Sequence, residues 1–201
     1  HGFFPRGGAE LNLEIYPRET STLKPLELLE LPKPAIIKGI SVASESLARA
    51  NVADRQARAA TTYLTKQFPN VEIDVKSYFM ATDCPGSGIS LWIENEQGFS
   101  TMGASDFGAR GKSSEIVGKN AARLLIKDYL TGAAVDSHAV DQLIPYMACA
   151  AAICSQESRI TASKMTLHAE TNIEISKKFF PDLEFKVISE NQHYLIICSK
   201  K

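Results

Sequence analysis

The sequence has no C-x-x-C pair, and none of its four cysteines (Cys84, Cys149, Cys154, Cys198) stands near a histidine at zinc-ligand spacing. A zinc-organised fold is excluded, and cysteines scattered among apolar neighbours suit a reducing cytoplasm. Both common nucleotide fingerprints are missing: there is no G-x-x-x-x-G-K-[ST], and no G-x-G-x-x-G follows a strand pattern. An excess of one charge is missing too. Twenty-two basic against 23 acidic residues leave a net charge of -1, so no global basic field marks a nucleic-acid or membrane surface. No charged-then-apolar leader follows His1, which gives the expectation of a fragment or processed chain. The longest nearly uncharged stretch, Leu143 to Cys154, is too short to span a bilayer and reads as a buried, alanine-rich core helix.

What is present is the composition of a globular protein: 201 residues, 44% hydrophobic and 22% charged. That length buries a core in one large or two small domains without staples. Residues 8 to 16 alternate, with Ala9, Leu11, Leu13 and Ile15 on one side, and predict a half-buried strand that Pro17 ends. Residues 18 to 34, with Pro25, Pro32 and Pro34, predict a connector or irregular edge.

From Ala35 the pattern restarts. A strand over 35–43 is followed by a helix over 51–68, whose Ala53, Ala57, Ala60, Leu64 and Phe68 recur at helical spacing. Strands are expected at Val71–Val75, Ile89–Ile93 and Ser100–Ala104, with the loop Cys84-Pro85-Gly86-Ser87-Gly88 between the first two. A helix capped by Ser113 or Ser114 runs from Glu115 to Leu130 and is closed by Gly132. Asp136 or Ser137 then caps a helix to about Ala152, followed by a strand near 159–163 and a helix near 169–180. A hairpin pairs 184–188 with 194–198. The fold class is α/β: a β-α-β-α-β-β unit, residues 1–34 plus 133–201, interrupted by a small α/β domain at 35–132.

Four histidines narrow the search for chemistry. His1 is terminal and His193 lies in a polar hairpin turn, so both read as incidental. His138 opens a helix beside Asp141 and Gln142, where backbone N–H groups and the dipole favour an anion; its plain reading is a capped helix start. His168 sits at a strand-to-helix junction, a place that exposes side chains to a cleft. Imidazole, with an ordinary pKa near 6.5, offers an unprotonated nitrogen at pH 7 that can form a covalent intermediate. From position alone a surface or packing role is the favoured reading of His168. Arg110 and Lys112, among Gly103, Gly108 and Gly111, read as turn residues that can touch a polyanion.

Four pieces in register carry the reading further: His1-Gly-Phe-Phe-Pro-Arg-Gly-Gly, Cys84-Pro-Gly-Ser-Gly-Ile-Ser-Leu-Trp, His138-Ala-Val-Asp-Gln-Leu-Ile-Pro-Tyr-Met-Ala and Leu167-His-Ala-Glu-Thr-Asn-Ile. Together they resemble the RNA 3′-terminal phosphate cyclase family along essentially the whole chain. The resemblance implies repeated β-α-β-α-β-β units with an inserted α/β domain. It also implies a ligase-class activity: ATP-dependent conversion of an RNA 3′-phosphate to a 2′,3′-cyclic phosphodiester, with magnesium or manganese and no membrane. It places the nucleophile on His168, through a histidyl-AMP intermediate. His138, Ala139, Val140, Asp141 and Gln142 fall on the ATP-binding motif, with Asp141 as the metal-side ligand and the His138 ring against adenine. The match is to the C-terminal part of the family, so groups supplied by preceding repeats are expected to be absent. The alternative is the cyclase-like ribosome-biogenesis factor, which shares the fold without catalysis; the presence of His168 separates the two.

Overall fold

Alternating apolar residues and small-residue helix faces build two four-stranded sheets, each with its own helices, in a computed structural model that describes residues 2–17, 19 and 23–201. His1 and positions 18 and 20–22 of the expected connector lie outside the described residues. In chain order the elements are β1 (Glu27–Leu28), β2 (Ile36–Ser44), a 3-10 helix (Glu45–Ala50), α1 (Val52–Gln67), β3 (Glu72–Met80), β4 (Ser87–Glu94), β5 (Met102–Phe107), α2 (Ser114–Tyr129), α3 (Ala139–Cys154), β6 (Ser158–Ala162), α4 (Leu167–Phe179), β7 (Leu183–Glu190) and β8 (His193–Lys200). They divide into two compact units, His1–Glu14 with Pro32–Lys127, and Ile15–Leu31 with Asp128–Lys201.

The first unit carries a four-stranded sheet in the order β3-β2-β4-β5, with β2 and β3 parallel and the other pairs antiparallel. Period-two alternation turns Ser87, Ile89, Leu91 and Ile93 of β4 inward and leaves Ser90, Trp92 and Glu94 on the other face. Ala53, Ala57, Ala60 and Leu64 of α1 are buried, as are Val117, Ala121 and Leu125 of α2. Small residues let the two helices approach closely. A Cβ at Gly118 would collide with the carbonyl oxygen of Gln56, so only glycine lets α2 cross α1 at this point. The Gln56 side chain is fully buried and bonded at both ends: Oε1 accepts from Ser41 Oγ at 2.9 Å and Nε2 donates to Ser87 Oγ at 2.8 Å. That amide pins α1 to β2 and β4, which is how a buried polar group is retained without penalty.

The second unit has the order β1-β6-β8-β7, with β1 parallel to β6 and the remaining pairs antiparallel. Its core joins Val140, Ile144, Met147 and Ala151 of α3 to Ala169 and Ile173 of α4 and to Ile160, Phe185 and Ile196 of the sheet. The Leu143–Cys154 stretch is therefore helix, as its apolar character predicts. Among the described residues no helix is long and apolar enough to cross a membrane. The β7–β8 hairpin pairs Glu190 with His193 around Asn191 and Gln192, and Asn191 takes the left-handed conformation (φ 39°) such a tight turn requires. His193 is structural: Nδ1 lies 3.0 Å from the Thr131 carbonyl and Nε2 3.3 Å from Glu190. All four cysteines are free, and burial pushes the Cys198 thiol up to about 12.

The opening strand is not formed. Residues 8–17 lie outside regular structure, and Leu11, Leu13 and Ile15 are 88%, 75% and 79% exposed. Alternation says which side chains would share a face, but a strand also needs a neighbour. The position beside β6 is filled instead by Glu27–Leu28, from within the stretch expected as a connector. Arg159 secures it, donating to Glu27 at 2.6 Å, and Ser158 Oγ accepts the Leu26 N–H at 3.1 Å.

Candidate functional site

Topology brings the starts of α3 and α4 to one end of the second unit. Val135 pairs in parallel with Ala162 of β6, and β7 runs parallel to β6 because both are antiparallel to β8. Each helix thus leaves the carboxyl end of one parallel segment and returns to the start of the next. Helix N-termini at the carboxyl ends of parallel strands are where α/β sheets receive ligands.

Each start is built by side chains acting on backbone. Asp136, 5% exposed, accepts the His138 and Ala139 N–H groups on one oxygen, both at 2.7 Å. The N–H groups that the sequence offers to an anion at His138 are therefore already taken by a carboxylate of the chain, and outward contacts fall to side chains. Ser137 is held in turn by Asp128, whose Oδ2 accepts its N–H at 3.0 Å and its hydroxyl at 2.9 Å. At α4, Thr166 Oγ1 accepts the Ala169 N–H at 3.1 Å, making Leu167 and His168 the first two helical residues.

Pro145 lies within α3 and has no N–H, so the carbonyl of Asp141, four residues earlier, lacks its helical donor. Asn172 of α4 supplies one, its Nδ2 standing 2.8 Å from that oxygen. Asn172 is one turn beyond His168 and on the same face of α4. The bond therefore ties the face that bears His168 to the first turn of α3, where Asp141 sits.

The expected site residues separate into two groups. His168, His138 and Gln142 are exposed and Asp141 is half-buried, so all four are open to a ligand. Gln142 Nε2 donates to Asp141 Oδ1 at 2.9 Å, which holds the carboxylate by one oxygen. Val140 is fully buried in the core and Ala139 is half-buried against it, so these two fix the helix and their side chains do not face outward. Among the described residues no three His, Cys, Asp or Glu side chains gather as a metal-ligand set. Asp141 is a single carboxylate at this place, and one carboxylate is not a protein cage for a divalent cation.

Sequence reading missed Asn172 and Pro145. Their signals were present: an amide at i+4 from His168, and a proline at i+4 from Asp141. The Cys84–Gly86 segment is architectural, and Ser87 and Gly88, expected in the loop, open β4. Ser44 Oγ accepts the Gly86 N–H at 2.8 Å, and a Cβ at Gly86 would strike the Phe3 ring. Lys112 is paired with Asp106 at 2.6 Å.

Comparison with known proteins bears on the whole chain. Residues 29–130 match the model of the RNA 3'-terminal phosphate cyclase (RTC) insert domain. Three proteins named RNA 3'-terminal phosphate cyclase are similar well beyond it. That of Hyperthermus butylicus is 40% identical over 192 residues, covering 93% of this chain and 51% of its own length. That of Staphylothermus marinus is 41% identical over 193 residues (93% and 51%), and that of Ignicoccus hospitalis 36% over 193 residues (94% and 52%). The chain spans about half the length of these relatives. With two α/β units, one matching the insert domain and both inside the aligned length, the chain belongs to the RNA 3'-terminal phosphate cyclase family.

Proposed function

We propose that the protein converts an RNA 3′-phosphate to a 2′,3′-cyclic phosphodiester at the expense of ATP, with His168 as nucleophile. Residues 35–132 are read as the inserted domain, and residues 1–34 with 133–201 as the unit that carries the chemistry. The observation that supports this most is the Asn172–Asp141 bond, which couples the His168 face of α4 to the exposed start of α3.

In this reading a ring nitrogen of His168 attacks the α-phosphorus of ATP, the bond to the β-phosphate breaks, and pyrophosphate leaves while the ring gives up its proton. AMP then passes to an oxygen of the RNA 3′-phosphate. The neighbouring 2′-hydroxyl attacks that phosphorus, loses its proton and expels AMP. The detour is worthwhile because a phosphate monoester has no good leaving group until adenylylation provides one. His138 offers a flat ring to adenine, and Gln142 and Asp141 lie on the same side of α3. A divalent cation bound with the phosphates would take Asp141 and offset the charge that develops on the departing pyrophosphate. The four free thiols suit a cytoplasmic enzyme.

The test uses the longest form its gene encodes, incubated with ATP labelled at the α-phosphate and magnesium or manganese. Acid-labile, alkali-stable covalent label that disappears in His168→Ala is the expected result. Absence of label on the wild-type protein overturns the reading.

A further inference from the structure

Outside the site at α3 and α4, the first unit carries a concentrated field that the net charge hides. A groove of about 360 Å³ runs between α1 and α2 and is lined by Arg55, Arg58, Lys66 and Lys119, with Glu115 as the one carboxylate among its lining residues. Glu115 is already engaged, taking two hydrogen bonds from Arg55 at 2.6 and 2.9 Å. Among the described residues Arg58, Lys66 and Lys119 have no carboxylate partner within ion-pair distance. Lys119 stands 5.6 Å from the centre of the Tyr63 ring, so an aromatic face lies among the cations.

The opposite, open face of the same sheet differs. It bears Trp92 and Tyr78, but its Lys38 is paired with Glu94 at 2.7 Å and its Lys76 faces Asp74 at 3.8 Å. Polyanion affinity follows unpaired cations, since each phosphate neutralised releases counterions. The unpaired Arg58 and Lys66 are separated by about 12 Å along α1, longer than one phosphate and suited to more than one. A row of cations beside one aromatic ring is the chemistry of backbone tracking rather than base reading.

We propose that the α1–α2 groove docks the backbone of the RNA strand whose 3′ end is the substrate, a proposal that rests on the RNA reading above. The experiment is fluorescence anisotropy of a 5′-labelled single-stranded 12-mer with the 201-residue chain, without ATP, over a series of salt concentrations. The triple variant Arg58→Gln/Lys66→Gln/Lys119→Gln should bind at least tenfold more weakly. Its slope of log affinity on log salt should be shallower by about 2, from roughly 0.7 per phosphate. Circular dichroism checks that the exposed substitutions leave the fold intact, and the milder Lys66→Gln should give an intermediate loss if they do not. Trp92→Ala, on the open sheet face, should bind as wild type. The proposal is overturned by wild-type affinity in the triple variant, by loss of binding in Trp92→Ala instead, by no RNA binding at low salt, or by equal displacement of the RNA with polyglutamate. Failure of His168 to take up AMP would sink the cyclase reading and leave this isotherm unmoved.

Discussion

Asn172 donates to the main-chain carbonyl of Asp141, the acceptor that Pro145 deprives of its helical partner. A double-mutant cycle exposes this dependence. Asn172→Ala should destabilise the chain by about 1 kcal/mol, the usual net worth of such a bond. In a Pro145→Ala background the restored N–H serves the same carbonyl, and the loss should largely vanish. Urea denaturation of the four proteins gives the coupling; purely additive effects would contradict the account.

The buried carboxylate of Asp136 holds two N–H groups at the start of α3. Asp136→Ala should cost about 1–2 kcal/mol, and Asp136→Asn, which keeps an acceptor, clearly less. Thermal unfolding at pH 7 ranks the three proteins, and equal costs for alanine and asparagine would refute a capping role.

Acid sensitivity is predicted at the rim of the basic groove. Hydrogen bonds from Arg55, with smaller help from its charge, hold the Glu115 carboxyl down at about 2 against an ordinary 4.5. A carboxylate depressed in the folded state stabilises when ionised, so its contribution is complete above about pH 4.5 and is lost as pH falls toward 2. In Glu115→Gln the midpoint of thermal unfolding should vary less with pH across that window. An unchanged acid limb would show that the pair contributes nothing.

The proposed order of chemical steps gives a substrate test. RNA ending in a 3′-phosphate should be cyclised, whereas the same strand lacking the terminal 2′-hydroxyl should accumulate with AMP on its end. Gel analysis of the two products decides it. Turnover of the deoxy-ended strand to a product without AMP would contradict attack by the 2′-hydroxyl.

Much of this was legible from residue order. The alternation of Ile89, Leu91 and Ile93 and the spacing of Ala53, Ala57, Ala60 and Leu64 fix which faces are buried, and both reappear as β4 and α1. Asp136 was readable as a cap because a short acidic side chain before an apolar run has few other uses. The strand expected at residues 8–16 failed for a different reason. Leu11, Leu13 and Ile15 encode a face, but pairing is a long-range choice, and Glu27–Leu28 takes the place beside β6. Asn172 was hidden likewise: its partner is a carbonyl, made available by a proline 27 positions away in the chain.

Gly118 inverts the usual sense of which positions matter at a surface. The cations of the groove project into solvent, so Arg58, Lys66 and Lys119 tolerate exchange without disturbing the fold. Gly118 bears no charge and meets no ligand, but any larger residue there must push α2 away from the Gln56 carbonyl and spread the cations apart. A redesign that retunes this surface for a different strand has wide latitude in its charges and almost none in the single hydrogen atom that sets their spacing.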